Sequence, residues 1–333
     1  MLSLEKGLPI AKIIKSKTFK PKDGKSKLLG LLTDEEVEEL NRIKEAAPKK
    51  CPFTMLGGED MKKKHSDVNT KLARAKLDRS TIKKEDDVMG KLFEINDGEL
   101  LPLPAMTNDD ENEQEANIRD VIYVAGVSNS GKSTFISQFL KMYKEVYPDN
   151  PVFIFSAVST DKAFKWLEDL DEKHIKKLKN DEEYERQFIR IPLDESFKEM
   201  LDDGDEWTVD DLFHSAVIFD DIDVIQDRQI RDAVRKLRGQ CLQIGRHNAI
   251  TTICTSHMIC DRERTKLLLC ESTKIVLFPR SGDENSISYC LKQYCGFTKE
   301  QITNFLNIPS RWCMVNKTYP KYVMGKNTCY LLK

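Results

Sequence analysis

Apolar residues in this chain gather into short runs rich in β-branched and aromatic side chains, separated by longer stretches of helical periodicity, and the alternation sets in near residue 91. The runs stand at 121–125, 152–155, 188–191, 216–219, 249–254 and 274–278. Each reads as a buried strand. Segments 135–143, 161–179 and 226–243 carry apolar residues three and four apart and read as helices. Strands alternating with helices predict right-handed βαβ units, hence an α/β fold with a central, mostly parallel sheet flanked by helices. Ligands of such sheets collect at the carboxyl ends of the strands. Further on, the pattern predicts a helix over 299–306 and strands over 312–315 and 328–332. Residues 92–95 and 99–103 predict a hairpin across Asn96-Asp97-Gly98.

The first 90 residues have a different texture. Eight lysines (Lys6, Lys12, Lys15, Lys17, Lys20, Lys22, Lys25 and Lys27) face only Glu5 and Asp23 in the first 27 positions. This reads as a basic arm with little to bury, disordered by itself, that is either a contact for DNA or a partner or a solvated tail. Thr33 and Glu36 have capping-box spacing for a short helix over 33–44, and a second polar helix is expected over 66–76. The expected organisation is thus a charged, partly disordered N-terminal extension over 1–90 and one α/β domain over 91–333. An acidic surface loop over 109–115 leads into the strand at 121–125.

Charge narrows the partners. Lys and Arg number 53 against 55 Asp and Glu, a formal net charge of −2, so any nucleic-acid contact has to be local. No apolar run is long enough to span a bilayer, and the first residues lack the apolar core of a secretory leader. Nine cysteines without framework spacing fit a reducing, intracellular compartment. Cys254, His257 and Cys260 superficially have zinc-ligand spacing, but Cys254 sits inside a strand-like run and no second ligand pair follows. Buried thiols are the better reading.

Between the strand at 121–125 and the helix after it lies Gly126-Val127-Ser128-Asn129-Ser130-Gly131-Lys132-Ser133-Thr134, which satisfies G-x-x-x-x-G-K-[ST] in the strand–turn–helix context where that pattern has mechanical meaning. Its glycines let the backbone wrap a phosphate chain, and its N–H groups and the helix N-terminus attract the phosphates. Lys132 reaches the β- and γ-phosphates, and Ser133 ligates Mg²⁺. The run at 216–219 ends in Asp220-Asp221, an arrangement of Walker B type: Asp220 for the metal, Asp221 to orient or deprotonate the attacking water. Asp223 falls past the strand end and is a weaker candidate. A guanine-reading N-K-x-D is missing, since Asn316-Lys317-Thr318-Tyr319 lacks its aspartate, and ATP is the expected nucleotide. After Walker B, Arg228, Arg231, Arg235 and Arg238 fall on one helix face opposite Ile230, Val234, Leu237 and Cys241. They read as an outward cationic stripe, either a contact surface or a solvated face.

The segment Gln243-Ile-Gly245-Arg246-His247-Asn248 precedes a strand that ends in Thr255-Ser256-His257. Together with the Walker A and Walker B motifs, in this order, it resembles the genome-packaging ATPases of nucleocytoplasmic large DNA viruses, the poxvirus-type branch of the FtsK–HerA superfamily. The resemblance spans about residues 91–333. It implies a homo-oligomeric ring that hydrolyses MgATP at subunit interfaces to drive double-stranded DNA into a capsid. It also implies work at an assembly site in the host cytoplasm, with a capsid or membrane component as a further partner and possible association with the virion. Arg246 matches the family's arginine before the sensor strand, a candidate finger for a neighbour's γ-phosphate, with Arg280 as competitor. The family's usual sensor glutamine is His257 here, which leaves the role between Ser256 and His257. The acidic pair is Asp-Asp where many relatives have Asp-Glu. The motifs on their own also admit a P-loop phosphotransferase on a small acceptor, or a non-catalytic ATP-gated scaffold.

Overall fold

Strands buried at every position have to lie inside a sheet that is covered on both faces. Val121–Ala125 (β7), Val152–Ser156 (β8), Thr251–Ser256 (β11) and Lys274–Leu277 (β12) are of this kind. The computed structural model of the chain describes residues 2–3, 8–14, 27–32, 38, 42, 82–87, 89–95, 98–106, 119–158, 160–177, 186–261, 264–281 and 283–332. With Phe188–Pro192 (β9) and Ala216–Asp220 (β10), these strands form a parallel block in the order β12-β7-β11-β10-β8-β9. Five antiparallel strands continue the same sheet beyond β12: Cys313–Asn316 (β13), Tyr322–Gly325 (β14), Thr328–Leu332 (β15), Gly90–Ile95 (β5) and Ile82–Asp87 (β4).

Helices cover both faces. Lys132–Val146 (α1) and Lys165–Lys177 (α2) follow β7 and β8 on one face, where Phe135, Phe139 and Leu167 pack on Ile122, Ile154 and Ile218. The other face carries Glu195–Asp202 (α3), Arg228–Gln243 (α4), Lys266–Glu271 (α5), Glu284–Tyr294 (α6) and Lys299–Asn307 (α7). Its core joins Tyr123, Phe155 and Phe219 to Val234, Leu269, Leu291 and Phe305. Side-chain caps set several helix starts: Asp227 accepts from Ile230 N (3.1 Å), and Thr298 and Gln301 close a capping box at α7.

The α/β architecture expected from the alternation is the one observed; three local expectations are corrected. The hairpin across Asn96-Asp97-Gly98 does not form. β5 pairs with β15 and β4, whereas Glu99–Pro102 (β6) pairs with β2 (Leu8–Ile14) in a second sheet of order β1-β3-β2-β6, completed by Leu2–Ser3 (β1) and Lys27–Leu31 (β3). The two strands part around the β14–β15 turn, with Ile95 N bonding Asn327 O (2.9 Å) and Leu100 N bonding Lys326 O (2.6 Å). Long-range partners outweigh the local turn.

Within the lysine-rich arm, the described stretch 8–14 has apolar positions to bury, and Leu29 of β3 lies beside them. Ile10, Ala11, Ile13 and Leu29 join the α1-side core. The expected helices over 33–44 and 66–76 and the acidic loop over 109–115 lie outside the described residues, apart from helical positions 38 and 42.

The arginine stripe of α4 does not point outward as a set. Arg228 is exposed beside Asp232, but Arg235 donates to Asp223 (2.9 Å) and Arg238 is buried. The helix packs against the loop after β10, which supplies the acidic partner, and the long arginine stems cover apolar surface.

At the amino end of the parallel block, Lys274 on β12 pairs with Asp120, both more than nine-tenths buried. Asp120 also accepts from Ala105 N (2.8 Å). No helix among the described residues is long and apolar enough to cross a membrane.

Candidate nucleotide site

The P-loop leaves β7 at the carboxyl edge of the sheet. Gly126 N bonds Ser256 O at the end of β11 (3.1 Å), which seats the loop on the neighbouring strand. Two glycines answer to geometry. A Cβ on residue 126 would stand 2.7 Å from the Phe278 ring and 2.8 Å from Ser130 Oγ, and Gly131 opens α1 at φ 114°, in the left-handed region. Ser133 and Thr134 fall in the first turn of α1, and Val127, Ser128 and Asn129 are exposed at the loop's tip.

Lys132, 8% exposed, donates to Gly126 O (2.9 Å) and lies 3.2 Å from His257 Nδ1 and 3.9 Å from Asp221 Oδ2. Burial lowers its pKa, against the pull of Asp221 and Asp220. His257 Nε2 approaches Asp221 Oδ2 at 2.9 Å. Both contacts of the ring are satisfied by one tautomer, in which Nε2–H donates to Asp221 and Nδ1 accepts from Lys132.

Asp220 and Asp221 are held by one hydroxyl. Thr255 Oγ1 accepts from Asp221 N (2.7 Å) and lies 3.0 Å from an oxygen of each carboxylate, so its single proton serves one of them at a time. Ser156 Oγ donates to Asp220 Oδ2 (3.2 Å). Burial, then the neighbouring Asp221, raises the Asp220 pKa. Asp221 itself has φ 46°, a left-handed turn that ends the strand and swings its carboxylate toward Lys132.

At the end of β11 the side chains of Ser256 and His257 go different ways. Residues 255 and 257 share one side and face the carboxylates, whereas Ser256 is buried with its Oγ accepting from Met258 N. Cys254 is buried in β11, its thiol pushed up to about 12 by burial.

Two residues of the site carry no motif signal. Thr255 reads in the sequence only as part of a strand end. Arg311, from the loop before β13, lays its guanidinium on the P-loop, with Nε donating to Ser130 O (2.9 Å) and Nη2 to Asn129 O (3.0 Å). The cleft along the P-loop, about 420 Å³, is bordered by residues 128–134, Asp221, His257 and Arg311.

Arg246 does not join this cluster within its own chain. It sits exposed in the 3-10 turn Gly245–Asn248 before β11, at the opposite sheet edge, roughly 20 Å away at about 3.3 Å per strand residue. The rest of that turn is architectural. A Cβ at residue 245 would meet Arg119 at 2.6 Å, where Arg119 caps the carbonyls of Cys241 and Leu242. Asn248 bonds Val209 O (2.9 Å) and Asp210 (3.0 Å). Arg280 is exposed beyond β12, on the P-loop edge.

The donor set fits a hard divalent cation. Among the described residues no three His, Cys, Asp or Glu converge into an all-protein metal cage. Mg²⁺ asks for less: one or two carboxylates, with phosphates and water completing its shell. Asp220, partly buried and crowded by Asp221, is a carboxylate whose charge a cation would relieve.

The chain is 32% identical over 278 residues to the uncharacterized protein V3 of the Sputnik virophage, a match covering 83% of this chain and 93% of V3. No family model matches. Among solved structures it is similar to the genome packaging NTPase B204 of Sulfolobus turreted icosahedral virus 2 in complex with AMPPCP, at 14% identity over 60% of this chain and 93% of that one, TM-score 0.38. It is also similar to the pCW3 conjugation coupling protein TcpA with ATPgS, at 9% identity over 75% and 88% of the two chains, TM-score 0.35. With a complete P-loop and an acidic pair set across β7, β10 and β11, the chain is a P-loop NTPase that belongs to the family of Sputnik virophage protein V3.

Proposed function

We propose that this protein is an ATP-driven double-stranded DNA translocase that packages a viral genome, working as a homo-oligomeric ring at the viral assembly site. One observation carries the hydrolytic part: Lys132, Asp220, Asp221 and His257 converge beside the P-loop from three adjacent parallel strands. The packaging part rests on the ordered motifs that resemble the packaging ATPases of large DNA viruses.

Backbone N–H groups of 126–134 and the start of α1 cradle the triphosphate, and Lys132 turns from Gly126 O to the β- and γ-oxygens. Ser133 and Asp220 hold Mg²⁺, whose chemistry is to neutralise phosphate charge. Asp221 takes the proton of the attacking water, and His257 keeps that carboxylate oriented through its Nε2–H. A permanently charged fork is still needed on the γ-phosphate, and a neighbouring subunit's Arg246 supplies it, a contribution worth about 10³–10⁵ in rate. DNA is gripped through its phosphates, so binding is salt-dependent and indifferent to sequence.

The test is ATP hydrolysis by the purified chain with and without double-stranded DNA. Stimulation is expected, with turnover abolished in Lys132→Ala. The translocase reading is lost if DNA leaves the rate unchanged across salt and protein concentrations. Mixing Arg246→Ala subunits with Asp221→Ala subunits should restore activity that each lacks alone. A mixture as dead as its components removes the shared finger.

A further inference from the structure

The phosphate cleft has a neighbour. A second cavity of about 220 Å³ shares Gly131, Thr134 and Arg311 with it and opens on the far side of them, bordered by Gln138, Glu99 and Lys326. Its floor is apolar, made by Leu100, Leu101 and Phe135. An apolar pocket with a few polar groups at its rim is the usual form of a small-molecule subsite.

Resting on the P-loop reading above, we propose that this second cleft receives the base of the nucleotide, an adenine, with Gln138 reading its edge and Arg311 stacked on its face. The direction of the nucleotide follows from the acids. The scissile end must face Asp221 and His257, which border the P-loop cleft and not the second cavity. The nucleoside therefore leaves past Gly131 and Thr134, where the second cavity begins.

Each rim residue has a chemical part. Gln138 carries a donor and an acceptor side by side, the pattern that pairs with the N6 amine and N7 of adenine. Guanine offers two acceptors along the same edge and leaves the glutamine carbonyl unpaired. Glu99 pairs with Lys326 at the exposed rim of the cleft (2.9 Å). Arg311 is pre-oriented, because Nε and Nη2 are fixed on Ser130 O and Asn129 O and one part of the guanidinium lies against Gly131. A planar cation held this way presents a ready stacking surface to a base. It also makes Arg311 the divider between the phosphate and base halves of the site.

Binding of MgATP, MgGTP and Mg-tripolyphosphate to the full chain, measured by calorimetry, separates the two halves. The wild type should bind ATP more tightly than GTP, and both more tightly than tripolyphosphate. Gln138→Ala should weaken ATP roughly tenfold, with the ATP-over-GTP preference collapsing toward one and tripolyphosphate unaffected. Gln138→Trp, which fills the cleft, should exclude both nucleotides and still admit tripolyphosphate. Unchanged ATP and GTP affinities in both variants, with melting curves like wild type, would overturn the base subsite. Tripolyphosphate that fails to bind, or binds equally to Lys132→Ala, strikes the P-loop reading itself and is recognisable as that separate failure.

Discussion

At the scale of single residues, the site is held together by two carboxylates under strain from each other. Asp220 is partly buried, sits next to Asp221 and has its pKa raised. An acid whose folded pKa lies above its unfolded value binds its proton more tightly in the fold. The fold is therefore favoured once Asp220 is protonated, and that advantage is lost as pH rises through the raised pKa. At neutral pH the ionised carboxylate works against stability. Asp220→Asn should accordingly abolish Mg²⁺-dependent hydrolysis and raise the melting temperature at pH 7 by roughly 2–4 °C. The difference should close as pH falls to the ordinary aspartate range near 3.9. Melting curves of the two proteins across pH 3–8 check it; a variant that melts lower at pH 7 would show that the hydrogen bonds from Thr255 and Ser156 outweigh the repulsion. How much of this was legible beforehand depends on the kind of contact. Lys132, Asp220 and Asp221 are recognisable because phosphate and metal chemistry dictates their types and spacing. Thr255 is not, since a hydroxyl at a strand end has many uses and only the pairing of β10 with β11 aims it at both acids. Arg311 leaves no local trace, because its partners are backbone carbonyls far away in sequence.

At the scale of elements, the parallel strands were readable since each is a closed apolar run that only a two-sided sheet can bury. The arms of the expected hairpin were not, because Ile95 and Leu100 find their partners in the β14–β15 turn, and no local pattern encodes that competition. The amino end of β12 supplies a sharper test. Lys274 and Asp120 are both buried and each answers the other. Lys274→Met should cost about 3–5 kcal/mol, since it strands an uncompensated charge in the core. Adding Asp120→Asn should recover most of that loss. Urea denaturation of the single and double variants measures both, and a double variant no better than the single would mean that the pair is not the source of the cost.

Across the whole molecule, the sheet is two constructions fused at β12. The parallel half holds the P-loop and the acids, and the antiparallel half delivers Arg311 from the loop before β13. The clasp on Ser130 O and Asn129 O therefore ties the P-loop to the loop before β13, beside the ring contact of Phe135 with Trp312. A ligand gripped by both halves transfers binding energy to their junction by mass action. Amides of β13, β14 and β15 should then exchange with deuterium more slowly when MgATP is added, although none of these strands holds a phosphate. Arg311→Ala should keep the slowing in α1 and lose it in the C-terminal strands; equal slowing in both would disconnect them from the clasp. If the slowing follows Arg311, β13, β14 and β15 would report nucleotide occupancy although they hold no phosphate, and the C-terminal half of the sheet would register the state of the P-loop.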